Sequence, residues 1–404
     1  MSIVTDGAVP TDARILNTGE RFGFDTRAHL HKAVEQARKR NFQDILIVDA
    51  DAHHVGELDS FKDMIKYLED PVMRYNALHG EHQRLAIPMF GGPQRQSVAG
   101  RLLRYRVEHL EKADSGEEHI PMDVTFFRRE MQSIGIDYQV VFPTPMLSLG
   151  MHPDPQIEVA LSWAYSRWLT EEILPHEPRL KTMIYMPFND PEQSLRFVRY
   201  FGDKPGVVGF MVTSARYRPV HDNVYMPIYR ELEERGLTLG FHAIYHQQER
   251  VFEGMNKFLS VHALGFLLYQ MVHMINMVVN GIPERFPKLK ILWIEQGLAM
   301  IPFLMQRLDN EYMMRTSEAP LLKKKPSEYM RENFFYTSQP MEDGNLEALQ
   351  LTMKMINAET QLLFSSDYPH WDFNLPSMIW DLPFLNEAQK RRILGENARA
   401  LFDL

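Results

Sequence analysis

The chain contains eight short apolar runs, and each becomes polar at or near its carboxyl end. Each run has the length of a buried strand, and its apolar residues follow one another instead of alternating with polar ones. That character is typical of strands covered on both faces, as in a parallel sheet. The runs are 44–49, 137–144, 180–189, 207–213, 237–242, 289–295, 334–339 and 362–367.

Helical segments separate most of these runs, and this alternation predicts a parallel α/β sheet with helices outside it. The segments are 158–174, 191–201, 225–235, 261–281 and 346–357. A doubly wound open sheet would show the same alternation and the same polar strand ends. The count of eight favours a closed, TIM-like (β/α)₈ barrel.

Two parts of the chain lie outside the regular alternation. Residues 1–44 predict an N-terminal arm followed by a helix that Asp25 would cap. The interval between the first two runs is longer than one crossover needs. We therefore expect a barrel over 45–404 with a lid-like helical insertion at 57–133 on the catalytic face, where it would act as a lid or as a dimer contact. Its predicted helical pieces are 61–68, 101–113 and 124–134.

The composition narrows the chemistry of any site. The 404 residues include no cysteine, which excludes disulfides, thiolate metal sites and cysteine nucleophiles. Metal ligands must then come from Asp, Glu and the 16 histidines. A formal net charge of −9 argues against binding to nucleic acid or to an anionic membrane surface.

Two sequence features predict a cytoplasmic protein without a membrane span. The first residues lack the apolar core of a signal peptide. The most apolar stretch, 261–280, is interrupted by His262, Gln270, His273 and Asn276, which favours a buried helix.

The strand ends carry residues that suit a metal. The first run continues as Asp49-Ala-Asp51-Ala-His53-His54, and residues two apart in an extended chain point the same way. Asp51 and His53 would therefore chelate one cation, and Asp49 shares their parity. The fifth, sixth and eighth runs end on the residues His242, Glu295 and Asp367. In a closed barrel these ends converge, and His and carboxylate ligands without sulfur suit Zn²⁺, Mn²⁺ or Fe²⁺.

Six further side chains lie close in sequence to these ends, although each could equally be an ordinary loop or core residue. Glu57 is a candidate metal ligand, and His246, four residues after His242, is a candidate catalytic group. Glu295, named above as a metal ligand, is a candidate catalytic group as well. Four are candidates for substrate binding: His152, Arg250, His262 and His370.

Several motifs resemble the amidohydrolase superfamily, in the amidohydrolase type 2 subgroup related to aminocarboxymuconate semialdehyde decarboxylase. The resemblance covers about residues 45–404. The motifs are Asp-x-Asp-x-His at 49–53, Gly-Leu-x-Leu-x-Phe-His at 236–242, Phe-Pro-Lys-Leu-Lys-Ile-Leu-Trp-Ile-Glu at 286–295, Ser-Ser-Asp-Tyr-Pro-His-Trp-Asp at 365–372 and Ile-Leu-Gly-Glu-Asn-Ala at 393–398.

The resemblance implies specific roles. Asp51, His53 and His242 match metal ligands, and Asp367 matches an aspartate that binds metal and handles a proton. Two positions depart from the founding pattern. Asp51 replaces a histidine, which decarboxylases of the subgroup tolerate, and Glu295 stands where the sixth strand commonly ends in histidine. The resemblance also implies a homodimer.

These observations lead to one functional expectation and two alternatives. We expect a metal-dependent enzyme that decarboxylates or hydrolyses a small carboxylate-bearing molecule, aromatic ones included, with Asp367 as acid and base. Asp51 and the missing sixth-strand histidine favour decarboxylation. The excess of candidate ligands leaves open a dinuclear non-haem iron or Fe/Mn enzyme that uses O₂, with Glu295 bridging two ions. A non-catalytic partner subunit is the other alternative.

Overall fold

The fold is built around one eight-stranded parallel sheet whose strands lie side by side in chain order. The computed structural model describes residues 26–54, 63–79, 120–213, 218–244, 250–252, 254–255, 258–370 and 372–404. The strands are β1 (Val48–His54), β2 (Tyr138–Pro143), β3 (Leu180–Tyr185), β4 (Val207–Thr213), β5 (Thr238–His242), β6 (Ile291–Ile294), β7 (Phe334–Thr337) and β8 (Leu362–Leu363).

Backbone hydrogen bonds between β1 and the segment after β8 close the sheet into a barrel. Ala50 N–H donates to Phe364 O at 2.9 Å, and Asp367 N–H donates to Asp51 O at 2.7 Å. His53 N–H donates to Tyr368 O, also at 2.7 Å. The predicted closed barrel is therefore confirmed over the open sheet.

Helices follow most strands and form the outer layer. They are α1 (Thr26–Lys39), α2 (Pro71–His79), α3 (Met122–Ile134), α4 (Pro155–Trp168), α5 (Pro191–Phe201), α6 (Met226–Arg235), α7 (Phe258–Val279), α8 (Ile282–Arg285), α9 (Met300–Met314), α10 (Pro326–Glu332), α11 (Leu346–Met355), α12 (Ala358–Gln361), α13 (Ser377–Trp380), α14 (Glu387–Arg391) and α15 (Asn397–Phe402). Two π-helical turns continue α4 and α14, at Leu169–Ile173 and Arg392–Glu396.

Local sequence signals set several helix boundaries. Asp154 and Asp190 cap α4 and α5, because each side chain accepts a backbone N–H of the first turn and each is followed by proline. Gly236 ends α6 in the left-handed conformation, with φ 67°. Phe197 and Phe201 of α5 are fully buried, and the ring of each lies 5.1 Å from that of Trp163 in α4.

The barrel interior is packed, and two glycines make the packing possible. A methyl group on Gly240 would lie 2.8 Å from Met183 Cε, and one on Gly209 would lie 2.4 Å from Thr238 O. Met183 itself is fully buried. Side chains thus fill the barrel below its carboxyl end, and any site must lie at that end.

The predicted boundaries of several strands were wrong, most clearly those of β1 and β8. β1 begins at Val48, because Phe42–Asp44 forms a 3₁₀ turn entered through Asn41 at φ 55°, and it continues to His54. β8 ends at Leu363, because the following residues bond to β1 without forming a regular ladder with β7.

Part of the predicted arm and insertion lies within the described residues. α1 packs against α3, and α3 matches the predicted helix at 124–134. In the predicted piece at 61–68, the described residues Asp63 and Met64 are α-helical and Ile65–Tyr67 forms a 3₁₀ turn. Asp25 and the segment 101–113 lie outside them. The domain division itself stays a prediction.

Within the described residues, one helix segment is long and apolar enough to cross a membrane by length and composition alone. This segment, Leu259–Val279 of α7, has 39% of its most apolar window buried. Its Met274, Met277 and Val278 side chains lie in the core, and α7 packs against α8, α9 and α10.

Candidate metal centre

A bulge in β1 separates the polar side chains of this strand. The register with β2 shifts between Asp49 and Ala52 and is regular from Ala52 to His54. Bulges re-aim side chains. Asp51 and His53 lie together, as their two-residue spacing predicted. Asp49 has the same spacing but bonds to Ser366 instead.

Asp51, His53 and His242 form the centre of the site. His53 Nε2 and His242 Nε2 each lie 3.4 Å from Asp51 Oδ1. All three side chains have 0% exposure, and one potential ligand atom from each lies within 4.8 Å of the others. β1 supplies two of these groups and the end of β5 supplies the third.

Asp367 joins this group from the segment after β8. Its Oδ1 atom lies 3.0 Å from His53 Nε2, and its backbone N–H donates to Asp51 O. Asp367 has φ 60°, a left-handed conformation that is uncommon for residues other than glycine, although Asp and Asn adopt it more often than most. The four residues Asp51, His53, His242 and Asp367 are called the acid–histidine cluster below.

The polar atoms of the cluster fit a divalent cation. Five of them are buried without a hydrogen bond to any described residue: Asp51 Oδ1, Asp51 Oδ2, His53 Nε2, His242 Nε2 and Asp367 Oδ2. Buried polar atoms are normally paired, and leaving one unpaired costs about 1–3 kcal/mol. Two carboxylates and two imidazoles without sulfur form a ligand set for Mn²⁺, Fe²⁺ or Zn²⁺.

The electrostatics of the cluster also favour a cation. Burial raises the pKa of Asp367 well above its usual value, and the nearby charge of Asp51 adds to this effect. Burial opposes ionisation of Asp51 as well, yet His242 and His53 hold the pKa of Asp51 below its usual range. Cation binding would therefore compete with proton binding at these groups.

Glu295 lies beside the cluster but faces the outer nitrogen of His242. Its Oε2 atom is 3.7 Å from His242 Nδ1, and that nitrogen bonds to Ala243 O at 2.8 Å. Glu295 has φ 59°, its N–H donates to Thr337 Oγ1, and burial raises the pKa of its carboxyl well above the usual value. Neither grouping of potential ligand atoms found among the described residues includes Glu295, so its metal and catalytic roles stay predictions.

His370 is in contact with the cluster, as expected for a site residue. Its Nδ1 atom lies 2.7 Å from Asp367 Oδ1, and its ring centroid is 3.9 Å from that of His53. Thr144 Oγ1 lies 3.1 Å from His370 Nε2 and 3.0 Å from His53 Nδ1. Nothing in the sequence singled out Thr144, because a hydroxyl in a turn after a strand is common.

The other predicted substrate residues are placed less centrally. His262 Nε2 lies 3.9 Å from Asp372 Oδ2. The charge of Asp372 contributes to the raised pKa of Glu295, so His262 and Asp372 lie near the edge of the cluster. His152 Nδ1 interacts with the backbone of Asp154 in its own loop. Glu57, His246 and the side chain of Arg250 lie outside the described residues.

His54 shows why only alternate residues of β1 reach the cluster. Its Nε2 atom lies 2.9 Å from Asp123 Oδ1, and its Nδ1 atom lies 3.1 Å from Tyr165 Oη. These partners belong to α3 and α4, so His54 points to the helical layer and anchors the outer face of β1.

Comparison with known proteins agrees with this architecture. The family model described as amidohydrolase matches residues 120–404. Gamma-resorcylate decarboxylase of Rhodococcus jostii (strain RHA1) is 24% identical over 250 residues, which is 58% of this chain and 74% of that protein.

Two solved structures share the fold. The 5-carboxyvanillate decarboxylase from Sphingomonas paucimobilis has a TM-score of 0.62 and 21% identity, and the match covers 89% of this chain and 99% of that one. Dihydroxybenzoic acid decarboxylase from Polaromonas sp. JS666, with bound manganese and the inhibitor 2-nitroresorcinol, has a TM-score of 0.61 and 19% identity, and the match covers 89% and 97%.

Proposed function

Since this chain belongs to the amidohydrolase family, we propose that it is a metal-dependent enzyme that releases CO₂ from a small aromatic carboxylate. The observation that carries this proposal is the acid–histidine cluster, whose five unpaired buried atoms lie where the barrel strands end. The decarboxylases among its relatives support the reaction class.

The residues of the cluster would hold one divalent ion, with Mn²⁺ as the first choice. Carboxylate-rich sites suit manganese, and the Polaromonas decarboxylase contains it. When bound, such an ion acts as a Lewis acid towards a carboxylate and a neighbouring oxygen of the substrate.

Asp367 is the proposed proton donor. Its Oδ1 atom is engaged by His370, whereas its Oδ2 atom makes no hydrogen bond to a described residue. Oδ2 would give a proton to the substrate carbon that bears the carboxylate, the electrons of the breaking C–C bond would remain on that carbon, and CO₂ would leave. A proton from solvent would then restore Asp367.

An aromatic wall next to the cluster supports an aromatic substrate. The ring centroid of Phe142 lies 5.1 Å from that of His242 and 6.3 Å from that of His53. Phe142 is fully buried at the end of β2. An apolar ring here would stack against substrate and exclude water.

Hydrolysis is the competing reaction, and Glu295 argues against it. Its Oε2 atom faces the outer nitrogen of His242 at 3.7 Å, and neither grouping of potential ligand atoms found among the described residues includes it. Glu295 is therefore poorly placed to take over the role of the histidine that commonly ends the sixth strand.

The test is to strip the purified protein with a chelator, reload it with Mn²⁺, Zn²⁺ or Fe²⁺, and follow CO₂ release from hydroxylated benzoates such as gamma-resorcylate and 5-carboxyvanillate. Esters and lactones of similar size report hydrolysis. We expect metal-dependent CO₂ release that D367N abolishes. Metal-dependent ester or lactone cleavage without CO₂ release would contradict decarboxylation.

One observation favours the dinuclear alternative as a second candidate. His53, Asp367 and His370 form a further grouping of ligand atoms that overlaps the first. Metal analysis separates the candidates: one ion per chain supports the mononuclear decarboxylase, whereas two irons with an O₂-dependent absorbance change support the oxygenase. A chain that binds no metal would support the non-catalytic partner subunit.

We further propose a cytoplasmic homodimer without nucleic-acid or membrane partners. The acidic net charge and the likeness to the decarboxylases support this description. Light scattering on the purified protein would establish its mass in solution.

A further inference from the structure

A single hydroxyl group lies between two imidazole rings at the edge of the acid–histidine cluster. Thr144 Oγ1 is 3.0 Å from His53 Nδ1 and 3.1 Å from His370 Nε2. The far nitrogen of His370 lies 2.7 Å from Asp367 Oδ1, so one continuous path joins His53 to Asp367 through two other side chains. These four residues are called the Thr144 chain below.

The direction of the first hydrogen bond follows from ligation. His53 Nε2 lacks a hydrogen bond among the described residues and lies with the other potential ligand atoms. A histidine that binds a cation through Nε2 carries its proton on Nδ1. That proton points to Thr144 Oγ1, so Thr144 must accept this bond.

The remaining bonds then follow from the number of protons. A threonine hydroxyl has one proton, and with Oγ1 accepting from His53 that proton is available to His370 Nε2. A neutral His370 that accepts at Nε2 carries its own proton on Nδ1, where it donates to Asp367 Oδ1. Each donor in the Thr144 chain thereby meets an acceptor.

We propose that Thr144 is a positioning residue that fixes the tautomers of His53 and His370, and so orients a metal ligand and Asp367 together. His370 occupies Asp367 Oδ1, which leaves Oδ2 for the ion or the substrate. Thr144 directly follows β2, the strand that pairs with β1, so its hydroxyl lies next to His53 at the end of the neighbouring strand. This inference rests on the proposed ligation by His53, and it holds for decarboxylation and hydrolysis alike.

The experiment compares three variants by metal competition titration. T144V keeps the shape of the side chain and removes the hydroxyl, T144S keeps the hydroxyl, and T182V removes a buried hydroxyl that bonds only to Val141 O at 2.9 Å. Outer partners of ligating histidines are worth about 10–100-fold in metal affinity, so we expect a loss of that size in T144V. T144S should recover most of the affinity, and T182V should keep it.

Nuclear magnetic resonance of protein labelled with ¹⁵N-histidine and loaded with Zn²⁺ gives a second measurement that does not depend on turnover. In the wild type, His53 and His370 should both appear as neutral rings protonated on Nδ1, and in T144V the His370 signal should shift towards a tautomer mixture. H370N assigns that signal. If T144V does not fold, the tautomer of His370 in the wild-type spectrum and the metal affinity of T144S still test the inference.

Three results would overturn the inference: an imidazolium signal from His370, protonation of His370 on Nε2, or equal metal affinity in T144V and T182V. Failure of the proposed function is distinguishable from these. A wild-type protein that binds metal and shows the expected tautomers but releases no CO₂ would contradict decarboxylation alone.

Discussion

Asp49 accepts hydrogen bonds from both the backbone N–H and the hydroxyl of Ser366, although the two residues lie 317 positions apart. Ser366 precedes Asp367, and Asp49 lies on the strand that carries Asp51 and His53. The pair therefore joins the first strand of the barrel to the segment that follows the last strand, directly beside the acid–histidine cluster. Burial raises the pKa of Asp49 to about 7, against the lowering effect of the Ser366 bonds.

Removing this hydroxyl should destabilise the protein. S366A leaves a buried oxygen of Asp49 without its partner, and such a loss typically costs about 1–3 kcal/mol of unfolding free energy. Urea denaturation measures it. The control is S162A, because Ser162 is equally buried but its hydroxyl donates, among the described residues, to the backbone oxygens Glu158 O and Val159 O of its own helix. Equal effects of the two substitutions would show that the Asp49–Ser366 pair is unimportant.

Replacing Asp367 by asparagine should separate stability from function. Asparagine tolerates the left-handed conformation of this position and can still accept from His370, but it brings no buried negative charge. In chelated protein we expect D367N to be more stable than the wild type by about 0.5–2 kcal/mol. Thermal melts with and without Mn²⁺ provide the measurement.

The same variant should lose most of the rise in Tm that the ion gives to the wild type, because binding to the folded state is what stabilises it. A chelated D367N protein that melts well below the wild type would contradict the account of Asp367 as a strained, functional residue.

Glu177 predicts a pH-dependent part of the stability. Hydrogen bonds from Arg179, and a further one from Arg128 of α3, lower the pKa of Glu177 to about 2 from an ordinary 4.5. Because the folded pKa is depressed, this stabilisation is complete above pH 4.5 and is lost as the pH falls towards 2. We expect E177Q to lose about 1–2 kcal/mol near neutral pH, after allowance for solvent screening.

The difference between E177Q and the wild type should therefore shrink as the pH falls through this window, which urea denaturation at several pH values would measure. The exposed Glu234 provides the control, and E234Q should follow the wild type at every pH. A constant difference between E177Q and the wild type would mean that Glu177 acts through packing instead of charge.

Gly395 marks a close approach of the C-terminal helices to the start of β1. A methyl group at Gly395 would lie 2.2 Å from Leu46 O, and backbone can move little to accommodate it. We expect G395A to cost about 1–3 kcal/mol or more, measured by denaturation. G344A is the matched control, because no described atom lies within 4 Å of a methyl group there. Comparable stability of the two variants would refute the close contact.

The sequence predicted the core of the site well, because a closed barrel brings all its carboxyl strand ends together whatever their distance along the chain. The strand ends that carry Asp51, His53, His242 and Asp367 could therefore be grouped from the sequence alone. Repeating apolar runs also predicted the strand count, since their number does not depend on exact boundaries.

Features that depend on backbone detail could not be predicted. The bulge on β1 separates Asp49 from Asp51, and no residue type in that segment signals it. Glu295 leaves the strand with a positive φ, which turns its side chain towards the outer nitrogen of His242. Thr144 begins the 3₁₀ turn after β2, and its place beside His53 and His370 follows from the folded barrel, not from any local sequence pattern.

The seam that closes the barrel lies between the first and last strands, and the acid–histidine cluster spans it. A nascent chain leaving the ribosome therefore carries Asp51 and His53 through nearly all of translation before Asp367 is synthesised. The proposed set of four ligands is therefore complete only after the final strand has emerged, whereas Asp51, His53 and His242 are all present once the fifth strand has been made. A chain that ends before Asp367 would lack the fourth group and the proposed proton donor.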